Sequence, residues 1–215
     1  MRLVMPRLYV ILDAGMLREP AGETSKKLFD AGVRLLQYRD KRVSARELFA
    51  NARTIAETAR TSKCAFLVND RPDVAYLAGA DGVHVGQEDL PVEQARHVVG
   101  DKRWVGVSTH NLEQFQQAAA TSADYIAVGP IFPTGSKANP DPVVGVEFVR
   151  RVRALTTKPI VAIGGITLDR AAGVIAAGAD SVAVISGILQ AKDPAAQARE
   201  YIQRLEAAPS AASQD

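Results

Sequence analysis

Eight short apolar runs, separated by segments with helical spacing, limit what this chain can fold into more than any other feature. They are Leu8–Leu12, Leu35–Tyr38, Phe66–Val68, Gly82–Val85, Trp104–Val107, Tyr125–Val128, Ile160–Ile163 and Ser181–Ile185. Each is largely continuous in its apolar character and rich in Val and Ile, the pattern of strands covered on both faces of a parallel sheet. Between them, Leu48, Ala52, Ile55 and Ala59 mark the apolar face of one helix, and Phe148, Val152 and Leu155 that of another. Eight βα repeats in 215 residues are close to the minimum for an α/β fold of the (β/α)8 TIM-barrel type. An open, doubly wound sheet also accepts alternating units, but even repeats without a long insertion favour closure.

A weaker repeat supports a barrel. Ala31-Gly32-Val33-Arg34, Ala78-Gly79-Ala80-Asp81, Ser122-Ala123-Asp124 and Ala177-Gly178-Ala179-Asp180 each stand just before an even-numbered run. Glycine and small residues there let a helix end turn tightly into the next strand. The recurrence at every second strand suggests a duplicated two-strand module.

With 47% hydrophobic residues the chain can build one large core, expected as a single catalytic domain over 1–206 with a flexible tail at 207–215. A net charge of +2 and 6% aromatic residues do not mark a nucleic-acid binder. No apolar stretch approaches a membrane span. The start, Met1 to Asp13, is basic and then apolar, but Asp13 ends the run early, so it reads as a first strand and not as a signal peptide. The one cysteine, Cys64, cannot form an internal disulfide, consistent with a reduced thiol and a cytoplasmic protein.

In α/β barrels the chemistry sits just past the C-terminal strand ends. Asp70 and Asp89 follow the third and fourth runs, with a short helical segment between them. Two hard oxygen donors on neighbouring strand ends suggest Mg²⁺ holding a phosphorylated ligand; the alternative is that each caps the helix that follows. After the second run, Gln37, Arg39 and Lys41 alternate to one side, and a guanidinium beside an ammonium suits a pyrophosphate. A solvated charge cluster paired through Asp40 is the competing explanation. Asn69 follows the third run and Ser108 the fifth, where Ser108 can donate to a phosphate oxygen, or it or Thr109 can cap the helix that Asn111 begins. His110 has no metal partner or nucleophile beside it in sequence and is taken as structural.

The sixth run enters the longest loop, Pro130 to Pro142, whose prolines restrict it while Gly135 gives it a flexible point. Such loops in barrels often close over substrate, and Lys137 would then arrive as a cation; a plain surface loop is the alternative. Gly164-Gly165 after the seventh run and Ser186-Gly187 after the eighth occupy the places where barrels build a phosphate cup from backbone N–H groups. No nucleophile stands beside a base, and there is no His/Cys metal cluster.

Together these pieces resemble the thiamine-phosphate synthase (thiamine-phosphate pyrophosphorylase) family over nearly the whole chain. The matching motifs are Gln37-x-Arg39-x-Lys41, Asn69-Asp70-Arg71, His84-x-Gly86-Gln87-x-Asp89, Gly106-Val107-Ser108-Thr109-His110, Gly129-Pro130-Ile131-Phe132-Pro133-Thr134, Lys137 and Ile163-Gly164-Gly165-Ile166. The family's Thr-x-Thr-Lys stands here as Thr134-Gly135-Ser136-Lys137, in which serine keeps the hydroxyl. The resemblance implies a transferase that joins hydroxymethylpyrimidine diphosphate to thiazole phosphate, giving thiamine phosphate and pyrophosphate. It implies that Asp70 and Asp89 ligate Mg²⁺, and that Gln37, Arg39, Lys41, Asn69, Ser108 and Lys137 surround the pyrimidine diphosphate. Arg39, Lys41, Ser108 and Lys137 would act on the departing group, while Thr134, Ser136, Gly165, Ile185 and Ser186 hold the thiazole phosphate. The partners expected are these two small molecules, with no nucleic acid and no membrane; a homodimer is compatible with the sequence.

The aminopyrimidine can donate electron density to a developing methylene cation, so a Mg²⁺-assisted dissociative substitution is expected, needing no protein nucleophile. Three other functions fit the sequence less well. A thiazole tautomerase has no diphosphate to lose and no use for the Arg39/Lys41 and Asp70/Asp89 pairs. A phosphosugar or indole-pathway barrel enzyme needs acid and base groups on the first two strands, where Asp13 is the sole candidate on the first and Gln37 cannot ionise. A silent sensor of thiamine precursors would release no pyrophosphate.

Overall fold

A computed structural model describes residues 5–135 and 141–209. Eight parallel strands close in sequence order: β1 Leu8–Asp13, β2 Leu35–Arg39, β3 Ala65–Asn69, β4 Gly82–Val85, β5 Trp104–Thr109, β6 Tyr125–Val128, β7 Ile160–Ile163 and β8 Ser181–Val184. The ring is sealed by β1 against β8, with Val10 opposite Val184. The helices outside it are α1 Ala21–Asp30, α2 Ala45–Thr61, α3 Pro72–Ala78, α4 Val92–Val99, α5 Leu112–Ala119, α6 Val146–Arg153, α7 Leu168–Ala176, the short α8 Ser186–Leu189, and α9 Pro194–Glu206. This is the expected (β/α)8 barrel.

Strand alternation divides the core into two layers. Tyr9, Ile11, Leu35, Leu67, Tyr125, Ala127, Val161 and Ala183 fill the barrel interior. Their neighbours Leu8, Val10, Leu12, Leu36, Phe66 and Val68 face outward and pack with the helices. Both sets are apolar, which is why the strands read as unbroken runs. Continuing the inward set toward the strand ends reaches Asp13, Gln37, Arg39, Asn69 and Ser108. The barrel's own alternation thus delivers polar residues to one rim.

The repeat before the even strands has a structural purpose. Asp81, Asp124 and Asp180 each close the start of the preceding odd strand. Asp81 N–H donates to Phe66 O (2.8 Å) while its Oδ2 accepts from Phe66 N (2.9 Å). Asp124 does the same with Val105 (2.8 and 2.7 Å), and Asp180 with Ile160 (2.9 and 2.7 Å). Arg34 stands at the equivalent place before β2 and instead donates to Phe29 O and Val33 O. Gly79 ends α3 in the left-handed conformation at φ 74°, where a β-carbon would be strained.

Several boundaries differ from expectation: β1 and β2 run one residue further, to Asp13 and Arg39, β3 gains Ala65 and Asn69, and β8 stops at Val184. β5 continues through Ser108 and Thr109, because the hydrogen-bonded ladder to Ala127 and Val128 outlasts the apolar run. Ala208, expected in the flexible tail, is buried, and its carbonyl accepts from the Arg7 guanidinium. Residues 210–215 of that tail lie outside the described residues.

Candidate active site

At the C-terminal end of β1, Asp13 sits opposite Arg39 of β2 in the sheet register. Its carboxylate binds the Arg39 guanidinium through Oδ2 and accepts from Gly15 N–H at 2.9 Å through Oδ1. Arg39 is therefore held at the rim by a buried anion. Sequence reasoning missed this partnership, because nothing local connects residues 26 apart. Asp40 does not pair with either cation; it accepts from Arg42 N–H at 3.0 Å and from the Tyr38 hydroxyl at 3.3 Å.

Lys41 reaches across to β3, placing Nζ 2.9 Å from Asp70 Oδ2. Asp70 adopts φ 62°, a left-handed backbone that few residues other than glycine, asparagine and aspartate enter readily. Its N–H donates to His84 O at 2.8 Å, which fixes the turn against β4. Asp89 folds back over the same point, accepting from Gly86 N–H at 2.7 Å. Neither carboxylate caps a helix: the N-caps of α3 and α4 are Arg71 and Pro91, without side-chain bonds. Burial pushes the Asp89 carboxyl up, and the adjoining Asp70 carboxyl pushes it further, against the pull of Gly86 N–H and Lys41. Two acids crowded until one resists ionising form a site that a cation would relieve. The donors are hard oxygens, as Mg²⁺ prefers, and Mg²⁺ commonly needs only one or two protein carboxylates beside substrate phosphates. Among the described residues no cluster of three or more His, Cys, Asp or Glu offers a richer metal site.

Gln37 is buried and donates to the Tyr9 hydroxyl at 2.7 Å. It opens a polar line across the barrel: Tyr9 to Tyr125 (3.0 Å), Tyr125 to His84 Nδ1 (2.8 Å), and His84 Nε2 to Ser108 Oγ (2.8 Å). Ser108 is not a helix cap; Asn111 caps α5 through its own side chain, accepting from Gln114 N–H. Thr109 turns the other way and donates to Ala127 O. Asn69 is half-buried at the end of β3, two positions past the inward Leu67.

Ser108, Thr134, Gly165, Ile185, Ser186 and Gly187 line one pocket over the β5–β8 end of the barrel. Gly164 (φ 97°) and Gly165 (φ 62°) take left-handed turns, and a β-carbon on Gly165 would stand 2.4 Å from Pro133 O. The loop after β6 rests directly on this turn: Ile131 N–H donates to Ile163 O at 2.8 Å, and Phe132 N–H to Gly164 O at 3.0 Å. Arg170, which sequence reasoning passed over, backs the turn by donating to Gly165 O at 3.1 Å while stacking over the Phe132 ring. His110 lines the same pocket, with Nδ1 bonded to Gly129 O at 2.7 Å and Nε2 facing Asp141 at 3.5 Å. Ser136 and Lys137 lie outside the described residues. Ser186 and Gly187 open the short α8, so the loops after β7 and β8 meet an extra helix, the usual phosphate place in barrels of this kind.

A closed barrel that presents cations and paired carboxylates on β1–β4 and a glycine-shaped pocket on β5–β8 is a phosphate-handling (β/α)8 enzyme. The chain belongs to the family described as thiamine monophosphate synthase, whose model matches residues 8–188. It is 52% identical over 208 residues to the thiamine-phosphate synthase of Koribacter versatilis, covering 94% of this chain and 97% of that protein. It is 43% identical to the thiamine-phosphate synthase of Chloroflexus aurantiacus, covering 90% of each. Among solved structures, the thiamine phosphate pyrophosphorylase of Pyrococcus furiosus superposes with a TM-score of 0.84 at 32% identity, over 93% of this chain and 96% of that one.

Proposed function

We infer that this enzyme joins hydroxymethylpyrimidine diphosphate to thiazole phosphate, releasing pyrophosphate and forming thiamine phosphate. One observation carries the assignment of roles: Arg39, Lys41, Asp70 and Asp89 crowd onto adjacent strand ends, beside a separate pocket suited to a second phosphate. Asp70 and Asp89 are proposed to hold Mg²⁺, which when bound neutralises charge on the departing diphosphate. Arg39, kept in place by Asp13, grips the diphosphate through its planar fork, and Lys41 exchanges Asp70 for the same anion. Ser108 donates to the leaving oxygens, and Gln37 and Asn69 orient the pyrimidine. Lys137 is proposed to complete the cation set from the loop after β6. Thr134, Ser136, Gly165, Ile185 and Ser186 seat the thiazole phosphate so that its ring nitrogen faces the methylene carbon; such alignment supplies several kcal/mol of rate enhancement. Departure runs ahead of attack, because the aminopyrimidine stabilises the cation and no protein nucleophile adjoins it.

The catalytic unit is proposed to be the single barrel domain, acting in the cytoplasm on small molecules. The buried Cys64, whose thiol is pushed up mainly by that burial, suits an inert, reduced side chain. Among the described residues no helix is long and apolar enough to cross a membrane.

The direct test supplies purified protein with Mg²⁺ and both phosphorylated precursors and follows thiamine phosphate and pyrophosphate together. Equimolar formation of both over many turnovers is expected, abolished by EDTA and restored by excess Mg²⁺. Thiazole isomerisation without pyrophosphate would instead identify a tautomerase. A variant at Asp13 probes the Arg39 anchor. Asp13→Asn should raise the KM for pyrimidine diphosphate about tenfold, the value of one charge-assisted hydrogen bond, with thiazole phosphate KM unchanged. Equal effects on both substrates would detach Asp13 from the diphosphate.

A further inference from the structure

Inside the barrel, below the rim, three side chains from three strands connect Gln37 to Ser108 without passing through solvent. Tyr9 and Tyr125 are each no more than 1% exposed and His84 is 8% exposed, so this is a built line of polar groups in an otherwise apolar interior. The rings are packed as well as bonded. Tyr9 and Tyr125 meet edge to face with centroids 6.1 Å apart, and His84 stacks on Tyr125 at 5.5 Å. Gly106 is bound up with the arrangement, since a β-carbon there would stand 2.0 Å from the Tyr125 ring.

Counting donors and acceptors gives the line a direction. The Gln37 amide N–H donates to the Tyr9 oxygen. Tyr9 then gives its hydrogen to Tyr125, and Tyr125 gives its own to His84 Nδ1. An Nδ1 that accepts leaves the neutral ring's hydrogen on Nε2, which donates to Ser108 Oγ. With one lone pair so occupied, Ser108 keeps its hydrogen available to an oxygen of a bound substrate. With the Gln37 nitrogen turned toward Tyr9, as the structure has it, the reverse order fails: Tyr9 would accept from both Gln37 and Tyr125 and leave its own buried O–H without an acceptor, at the cost of an unmade hydrogen bond. Burial drives both phenols well above their ordinary range, so each keeps the hydrogen the line requires.

We propose that Tyr9, Tyr125 and His84 are positioning residues, a one-way hydrogen-bond relay that makes the Ser108 hydroxyl a donor toward an anionic oxygen of the bound substrate. Its direction is set at Gln37. The inference deepens the proposed function, resting on Ser108 facing the departing diphosphate. A serine that gave its hydrogen to His84 would have only lone pairs left for an incoming anion; accepting from His84 keeps the hydrogen available to it.

Two measurements test it. The first needs no activity: nitrogen-15 NMR of histidine-labelled protein, with His84 assigned by its loss in His84→Gln. A bare Nδ1 and a protonated Nε2 are expected in the ligand-free protein at mildly alkaline pH; a proton on Nδ1 overturns the relay whatever the enzyme does. The second is a double-mutant cycle of Tyr125→Phe and Ser108→Ala. Tyr125→Phe alone should lower kcat about tenfold with little change in KM, and in the Ser108→Ala background it should cost less than about twofold. Tyr9→Phe, which leaves Tyr125 and its ring stacking in place, is the second variant should Tyr125→Phe fold poorly. It should again lose its effect once Ser108 is alanine. Additive losses would mean that the tyrosines serve packing alone. Absence of thiamine phosphate synthesis by the unmutated enzyme would sink the functional assignment but leave the NMR result to decide the relay.

Discussion

Replacing Asp70 by asparagine is expected to lower turnover at least about 100-fold while leaving the metal-free protein as stable as before. The backbone at Asp70 has φ 62°, and asparagine is among the few residues that enter this region readily, so the turn into α3 should survive. Two electrostatic changes then compete. The ion pair with Lys41 disappears, but that lysine is 56% exposed, and pairs of this sort contribute at most about 1 kcal/mol. In return Asp89 loses the acidic neighbour that helps push its carboxyl up. The two effects have opposite signs, and Tm should stay within about 3 °C. Function has no such compensation. An amide oxygen is a poor substitute for a carboxylate toward Mg²⁺, and charge on the departing diphosphate would go largely unneutralised. Alanine at the same position should lose activity equally but also cost about 1 kcal/mol or more of stability, because it lacks the short polar side chain that lets aspartate and asparagine hydrogen-bond locally in the left-handed turn. Turnover within a few-fold of normal in Asp70→Asn would remove this residue from the metal site. A large drop in Tm would mean that its role is in the fold.

That Asp70 was visible in the sequence at all follows from how a parallel barrel is built. Strands covered on both faces stay apolar until they emerge, so the first polar residues after each run mark the rim. Asp70, Asp89, Arg39 and the Gly164-Gly165 turn were all found by that rule. The same rule fails where a strand stays paired after its apolar character ends, as β5 does through Ser108 and Thr109. It also cannot see across the barrel. Asp13 holds Arg39 only because the register sets the two side by side, and Arg170 backs Gly165 from the following helix. The line from Tyr9 to Ser108 joins β1, β4, β5 and β6, and each member taken alone reads as an ordinary strand residue. Asp81, Asp124 and Asp180 lie between these cases: their recurrence was legible, but their bonding to the starts of β3, β5 and β7 required the coordinates.

Gly165→Ala should separate the two substrates. The left-handed φ of 62° alone costs an alanine about 1–2 kcal/mol. In addition the new methyl would stand 2.4 Å from Pro133 O and 2.8 Å from Phe132 Cβ, so the loop after β6 must lift off the β7 turn. That loop is fastened by Phe132 N–H to Gly164 O, and Arg170 grips both Phe132 and Gly165 O, so the displacement spreads into the pocket wall. Tm is expected to fall by about 4–8 °C. Losing one or two hydrogen bonds to a charged phosphate should raise the thiazole phosphate KM at least about tenfold. The carboxylates and cations on β1–β4 are untouched, and the pyrimidine diphosphate KM should stay within about twofold. Gly173→Ala in α7 serves as the control. There an added methyl meets nothing within 4 Å and the glycine sits inside a helix, so the same substitution should stabilise by about 0.5–1 kcal/mol and leave both KM values alone. If Gly165→Ala instead weakens pyrimidine diphosphate and spares the thiazole, the second phosphate does not lie on the β7–β8 turn, and the two substrates are seated the other way round.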